Sequence, residues 1–188
     1  MPIEEIIRRI AKLTENMVAF WGSARGWAPI EAAKLLSKSR LDWQSSLSWC
    51  LYLWIEPPED QSKEGHQILA YATLGALVEG ALKLFLSVWY KDYKNDVNAI
   101  IRRGDIVDPD ILSLENLRIF FRDQIWGDAW DDWILRIQQR RNAIHAYHDR
   151  DIGDHAEFIE DVREYLEFLR DINRRLPYPD EIYVPSEE

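Results

Sequence analysis

The sequence predicts an all-α protein, a helical bundle of about five to seven helices. Apolar residues recur at helical spacing through most of the chain, and no segment shows the alternation that marks a half-buried strand. No internal repeat and no linker divides the sequence. The 188 residues, 47% of them apolar, are enough for one core without disulfides or metals.

The N-terminal third is expected to contain two or three helices. Residues 2–20 have an amphipathic pattern, and residues 22–27 contain glycines that break it. Residues 30–55 then form one long helix or two shorter ones. Pro57 and Pro58 end this helical region, because proline lacks the backbone N–H that an α-helix needs.

The most apolar segment, residues 68–90, runs for more than twenty positions, which is long enough to cross a bilayer. Glu79 and Lys83 lie near its middle, and each would cost roughly 2.5–3.5 kcal/mol in hydrocarbon. We therefore expect the central helix of a soluble bundle and no membrane span. Its small residues should let neighbours approach closely; they are Gly75, Ala76, Gly80 and Ala81.

Further helical segments follow the central one. They are residues 90–103, closed by Gly104 and Pro109; a helix capped by Ser113; residues 130–148; and residues 155–174, capped by Asp154. Residues 177–188 are rich in proline and acids. The sequence thus predicts one domain over residues 1–176 and an acidic tail over residues 177–188.

Composition limits the function. The formal net charge of −10 argues against a general nucleic-acid binder, although a local basic cleft is compatible with it. The single Cys50 gives no disulfide framework and favours a reducing, cytoplasmic setting. The four histidines follow no metal-binding pattern and there is no glycine-rich phosphate loop, so no metal or cofactor is expected. We expect the nine tryptophans to fill the core or to form a self-association face, and the first interpretation is favoured.

The candidate site lies near the end of the helix predicted over residues 130–148. On a helical wheel, Arg141 falls within about 40° of the centre of the apolar stripe, and His145 lies one turn further on. Arg140 and Tyr147 fall on the opposite flank. A guanidinium facing the core is costly unless a carboxylate pairs with it or the stripe opens into a polar cleft.

Glu79 and Lys83 have two interpretations. They are four residues apart with the acid first, which is the favoured arrangement for an ion pair within one helix. Alternatively, Glu79 faces Arg141 across the cleft between two helices.

Arg140, His145 and Tyr147 have the spacing Arg-x4-His-x-Tyr at a helix end, which resembles the signature of HEPN domains. The central helix with Glu79 and Lys83 resembles an acid-x-x-x-Lys motif of part of that family. The resemblance covers about residues 68–176. In the family an asparagine usually follows the catalytic arginine directly, but here Asn142 follows Arg141. The spacing therefore favours Arg140 as the catalytic arginine, whereas the helical wheel favours Arg141, which we rank first.

The resemblance implies metal-independent RNA cleavage by a homodimer whose two helix ends share a cleft. His145 would accept the proton of a ribose 2′-hydroxyl, and an arginine would stabilise charge on the phosphate. Asn142 would orient the phosphate or reach the second subunit, and Tyr147 would bind a base. In toxin members of the family, a nucleotidyltransferase antitoxin modifies a tyrosine at this place, which implies a toxin–antitoxin or antiviral role and an antitoxin partner.

A second hypothesis is a non-catalytic helical interaction module with the same fold. In this case the arginines complement the dipole of the helix end, and His145 is structural. The tryptophan-rich surface and the acidic tail would bind a protein partner. The acidic charge of the chain favours this alternative.

Overall fold

The computed structural model describes residues 1–145, 149–179 and 184–188, and within these ranges the chain forms eight α-helices. Seven of them contain at least eight residues, so the predicted all-α bundle is confirmed. The helices are α1 (Ile3–Gly22), α2 (Ile30–Lys38), α3 (Leu41–Cys50), α4 (Lys63–Val88), α5 (Tyr90–Asn95), α6 (Leu114–Phe121), α7 (Asp131–Arg141) and α8 (His155–Arg174).

A small antiparallel ribbon follows α5, where the sequence predicted helix as far as residue 103. Strand β1 (Ile101–Arg102) pairs with strand β2 (Asp105–Ile106). The two turn residues, Arg103 and Gly104, have φ angles of 55° and 92°. Positive φ at two successive residues suits the tight turn of a hairpin, and Gly104 adopts it without strain. The helix prediction was wrong here because strands of two residues are too short to show an alternating pattern.

Helix α4 is the central helix, as predicted, and packs against α2, α3, α6, α7 and α8. Among the described residues, one helical stretch, residues 60–88, is long and apolar enough to cross a bilayer. However, 56% of its apolar window is buried inside the protein. Leu74, Leu77 and Val78 are completely buried. This is the arrangement expected for the core helix of a soluble bundle.

Two glycines of α4 allow side chains of other helices to approach its backbone closely. A Cβ atom on Gly75 would lie 2.6 Å from Cγ and 2.8 Å from Cβ of Arg141. A Cβ atom on Gly80 would lie 2.0 Å from Oε1 of Gln44. The prediction of close approach at these positions is therefore confirmed, with α7 and α3 as the neighbours.

Aromatic side chains form much of the interior. Seven of the nine tryptophans are buried or partly buried, in agreement with a core role. Trp126, Trp130 and Trp133 surround Phe168 of α8 with ring centroids 5.3–5.8 Å away. By contrast, Trp27 and Trp43 are 44% and 59% exposed.

The predicted start of α8 is confirmed and its cap is complete. The Asp154 side chain accepts a hydrogen bond from the backbone N–H of Glu157, and the Glu157 side chain accepts one from the backbone N–H of Asp154. This capping box satisfies two N–H groups that the first turn of a helix leaves without a partner.

Described residues of the predicted tail are part of the folded structure. Pro185 is buried, and its carbonyl oxygen accepts a hydrogen bond of 3.0 Å from the Asn173 side chain. Glu187 forms ion pairs with Arg170 of α8 and Arg9 of α1. The tail was expected to lie outside the domain, but its last residues pack on the seam between α1 and α8.

A pair of histidines connects the start of α4 to the start of α8, and it leads to a prediction on pH dependence. The rings of His66 and His155 are 6.3 Å apart, and Trp54 packs edge-on against His66 at 5.0 Å. Burial, assisted by His155, lowers the pKa of His66 below its usual value of about 6.5. The unfolded chain therefore takes up this proton at a higher pH than the folded protein does.

We expect the lowered pKa of His66 to reduce stability as the pH falls from about 7.5 to about 5.5, because the unfolded state then binds more protons than the folded state. Urea unfolding at a series of pH values would measure the effect. Compared with the wild type, His66→Gln should show a shallower decrease in the free energy of unfolding. An identical pH dependence in the two proteins would contradict this assignment.

Candidate functional site

Helix α7 ends with two adjacent arginines whose carboxylate partners lie on different helices. Consecutive residues of an α-helix are rotated by about 100°, so Arg140 and Arg141 are directed to different sides. Arg140 pairs with Asp161 of α8 and also contacts Tyr71 of α4, whereas Arg141 pairs with Glu79 of α4. The sequence placed Arg141 inside the buried face and Arg140 on its flank. In the structure, Arg140 is the more buried of the two, so this part of the prediction was wrong.

Arg140 belongs to a closed polar network and is only 3% exposed. Its Nη1 donates to the Tyr71 hydroxyl at 2.6 Å and to Asp161 at 3.2 Å, and its Nη2 donates to Glu157 at 2.8 Å. The Tyr71 hydroxyl in turn donates to Asp161 at 2.8 Å. The guanidinium therefore has carboxylate partners on the facing helix, as a buried cation requires.

Asp161 is the centre of this network. Its carboxylate accepts further hydrogen bonds from Trp133 Nε1 at 3.2 Å and from Arg136 Nη2 at 2.8 Å. Burial, together with the charge of Asp161, raises the pKa of Tyr71 far above its ordinary range. The Tyr71 hydroxyl thus remains protonated and holds α4 against α7 and α8.

Arg141 lies in a more open environment, with 32% of its side chain exposed. Its Nη2 is 2.9 Å from Oε2 of Glu79, and the other Glu79 oxygen is 2.8 Å from Nζ of Lys83. Both interpretations of Glu79 are therefore confirmed, because it pairs within α4 and also across to α7. The aliphatic part of Arg141 lies against Gly75, which leaves room for it.

His145 follows Arg141 by about one turn, at the end of the 3₁₀ turn Asn142–His145. Over these four residues the 3₁₀ turn replaces the predicted α-helix. Ala143 is buried and anchors the turn, Asn142 is partly buried, and His145 is exposed. Tyr147, the remaining candidate, lies outside the described residues.

The arrangement carries one net positive charge, from the cations Arg141 and Lys83 and the carboxylate of Glu79. A guanidinium has five N–H donors in a planar fork. One contact with Glu79 therefore leaves Arg141 with further donors for an anion. The exposed imidazole of His145 adds a ring nitrogen that can donate or accept a hydrogen bond.

A cavity of about 200 Å³ adjoins Lys83 between α3 and α4. Arg40, Gln44 and Gly80 contribute to its walls. Arg40 and Gln44 were not predicted from the sequence as neighbours of Lys83. Gly80 was the available signal, since a glycine on an otherwise apolar helix marks a close approach. Within residues 1–145, 149–179 and 184–188, no three His, Cys, Asp or Glu side chains are grouped to hold a metal ion.

The candidate site thus consists of Arg141, Glu79 and Lys83, which meet where the end of α7 contacts the middle of α4, together with His145 on the 3₁₀ turn that follows α7. Comparison with the models of protein families, with curated proteins and with solved structures finds no match to this chain.

Proposed function

We propose that this protein is a metal-independent endoribonuclease of the HEPN type, which acts in the cytoplasm in a toxin–antitoxin or antiviral setting. The observation that carries the proposal is the contrast between the two arginines. Arg140 is enclosed by carboxylates, whereas Arg141 is partly exposed and is followed after one turn by the exposed His145. Arg141 can therefore contact a phosphate without any change in the core.

In the proposed reaction, His145 removes the proton of a ribose 2′-hydroxyl. The 2′-oxygen attacks the adjacent phosphorus, and the bond to the 5′-oxygen of the next nucleotide breaks. The 5′-oxygen takes a proton from water, and the protonated His145 returns its proton to the solvent, so the products are a 2′,3′-cyclic phosphate and a 5′-hydroxyl. Arg141 would donate two hydrogen bonds to the non-bridging oxygens, where negative charge develops. Glu79 would hold the guanidinium in place, and Lys83 would share the charge of Glu79.

We also propose that the active form is a homodimer. Two copies of the α7 end would then line one groove, with Asn142 directed to the second subunit and Tyr147 to a base of the RNA. A nucleotidyltransferase antitoxin that modifies Tyr147 would block this groove. These partners follow from the resemblance in the sequence.

The test is RNA cleavage by the purified protein in the presence of a chelator. His145→Ala and Arg141→Ala should each abolish cleavage, while the circular dichroism spectrum and the elution volume in size-exclusion chromatography stay unchanged. Arg163→Ala serves as the matched control, because Arg163 lies on α8, is about as exposed as Arg141 and also pairs with a glutamate, Glu160. Cleavage that persists in both site variants would contradict the proposal.

The second candidate is a non-catalytic interaction module. Two observations favour it: Arg141 already has a carboxylate partner, and Trp43 is exposed with the Arg40 guanidinium 4.2 Å above its ring. Exposed aromatic and arginine side chains are enriched in protein interfaces. A folded protein that neither cleaves nor binds RNA, and whose capture of a partner requires Trp43, would support this alternative.

A further inference from the structure

The seam between α1 and α8 has a local excess of positive charge. Four arginines of these two helices line the seam, and three carboxylates of the same helices lie within ion-pair distance of them. One positive charge therefore remains on the helix side, although the chain as a whole carries −10. The arginines of this arginine seam are Arg8, Arg9, Arg170 and Arg174, and their partners are Glu5, Glu167 and Asp171.

Glu187 of the tail occupies the centre of this arginine seam. Arg170 donates to both Glu187 oxygens, from Nε to Oε1 and from Nη2 to Oε2, the latter at 2.7 Å. Nη1 of Arg9 is 3.4 Å from the same carboxylate. Arg170 holds the pKa of Glu187 below its usual value. Two guanidiniums from different helices thus converge on one anionic group.

Two asparagines bind the backbone beside Glu187. Asn173, which is only 8% exposed, donates to the carbonyl oxygen of Pro185 at 3.0 Å. Asn16 donates to the carbonyl oxygen of Ser186 at 3.0 Å. The seam therefore has preformed contacts for an anion and for the segment that carries it.

Space remains between the tail and the helices, in a cavity of about 520 Å³. The charges on its two sides are opposite. On the helix side the charged lining residues are Arg8, Arg9, Arg170 and Arg174, whereas on the tail side they are Glu187 and Glu188. One carboxylate uses only part of the donors that four guanidiniums offer.

We propose that the arginine seam is a binding site for a small oligophosphate. The Glu187 carboxylate of the tail competes with this ligand for the same arginines. The guanidinium fork fits a phosphate as well as it fits a carboxylate, and a chain of phosphates would supply several negative charges at once. A terminal phosphate would take the hydrogen bonds that Arg170 now makes with Glu187. Residues 185–188 would then leave the seam, so that ligand binding and tail docking exclude each other.

Isothermal titration calorimetry of the full chain with inorganic tripolyphosphate tests the proposal by measuring the dissociation constant. Glu187→Gln removes the competing charge and should tighten binding about tenfold. Arg170→Gln and Arg9→Gln should each weaken binding at least about tenfold. Glu160→Gln and Arg163→Gln are the matched controls, because both residues lie on α8 outside the cavity, and they should bind as the wild type does.

Nuclear magnetic resonance of the Asn173 side-chain amide supplies a second readout that does not depend on affinity. Tripolyphosphate should shift this resonance, because the amide loses its 3.0 Å hydrogen bond to the carbonyl oxygen of Pro185 when the tail leaves the seam. The proposal is overturned if Glu187→Gln binds tripolyphosphate no more tightly than the wild type does. It is also overturned if Arg9→Gln binds tripolyphosphate as tightly as the wild type does. The Arg9 side chain is 37% exposed, so this substitution should leave the fold intact. Binding of single-stranded RNA without terminal phosphates, but not of tripolyphosphate, would also overturn the proposal.

Discussion

Arg140→Ala should lower the free energy of unfolding by about 3–5 kcal/mol, the usual cost of removing one partner of a buried ion pair. The substitution leaves the Asp161 carboxylate, only 3% exposed, with one cation fewer. It also removes the donor that binds the Tyr71 hydroxyl. Urea unfolding monitored by tryptophan fluorescence would measure the change. Arg140 thus stabilises the fold, whereas Arg141 is proposed to contact a phosphate.

The adjacent Arg141→Ala is the matched control for this experiment. Arg141 also pairs with a glutamate, but its side chain is 32% exposed, and ion pairs of this kind contribute about 1 kcal/mol or less. We expect a folded protein of nearly unchanged stability. Equal losses of stability in Arg140→Ala and Arg141→Ala would contradict the prediction that the buried ion pair of Arg140 contributes more than the exposed one of Arg141.

Gly75→Ala should be destabilising although alanine is the better helix former by about 1 kcal/mol. The new methyl group would lie 2.6 Å and 2.8 Å from Cγ and Cβ of Arg141. These atoms are close to the α7 backbone, so the helix itself has to move. Overpacking of this kind costs about 1–3 kcal/mol. If the proposed function holds, displacement of Arg141 from Glu79 should also reduce RNA cleavage by roughly 100-fold.

Gly80→Ala is the natural comparison on the same helix. Here the methyl group would meet the amide end of Gln44, which is free to rotate away. Gln44 would lose its hydrogen bond to the carbonyl oxygen of Leu77, now 2.7 Å long, at a cost of about 1 kcal/mol. The better helix propensity offsets this loss. Thermal unfolding should therefore separate the two variants, and similar melting temperatures would contradict the assignment.

The long helices could be predicted from the sequence because their local signals agree with their environment. Helix α4 is apolar on nearly all sides, and α8 combines a capping box with a regular apolar stripe. The ribbon at residues 101–106 depends on a turn, and strands of two residues carry no periodic pattern. This is why the structure departs from the sequence prediction between α5 and α6.

The candidate site was only partly predictable. The spacing of Glu79 and Lys83 indicated their ion pair, and the contact of Glu79 with Arg141 was one of two open alternatives. The helical wheel failed for Arg140 because it assumes a single buried stripe. Helix α7 packs against α4 and α6, and Arg140 also forms an ion pair with Asp161 of α8. A wheel drawn for one helix contains no information on the second neighbour.

The docking of the tail could not be predicted from sequence patterns, for a similar reason. Glu187 and Arg9 are separated by 178 positions, and nothing local to either residue indicates the other. Short acidic segments are usually read as solvated. The arginine pairs were visible in the sequence, but their excess over nearby acids appears only when α1 and α8 lie side by side.

The central position of α4 has a consequence for how the protein unfolds. This helix contains 26 residues and is therefore about 39 Å long. It packs against the five helices named above, α2, α3, α6, α7 and α8. Loss of α4 would leave those helices without their common partner, so the domain should melt as one cooperative unit. Glu79 and Lys83 belong to this helix, so amide hydrogen exchange should be slowest in the element that holds these two groups of the candidate site.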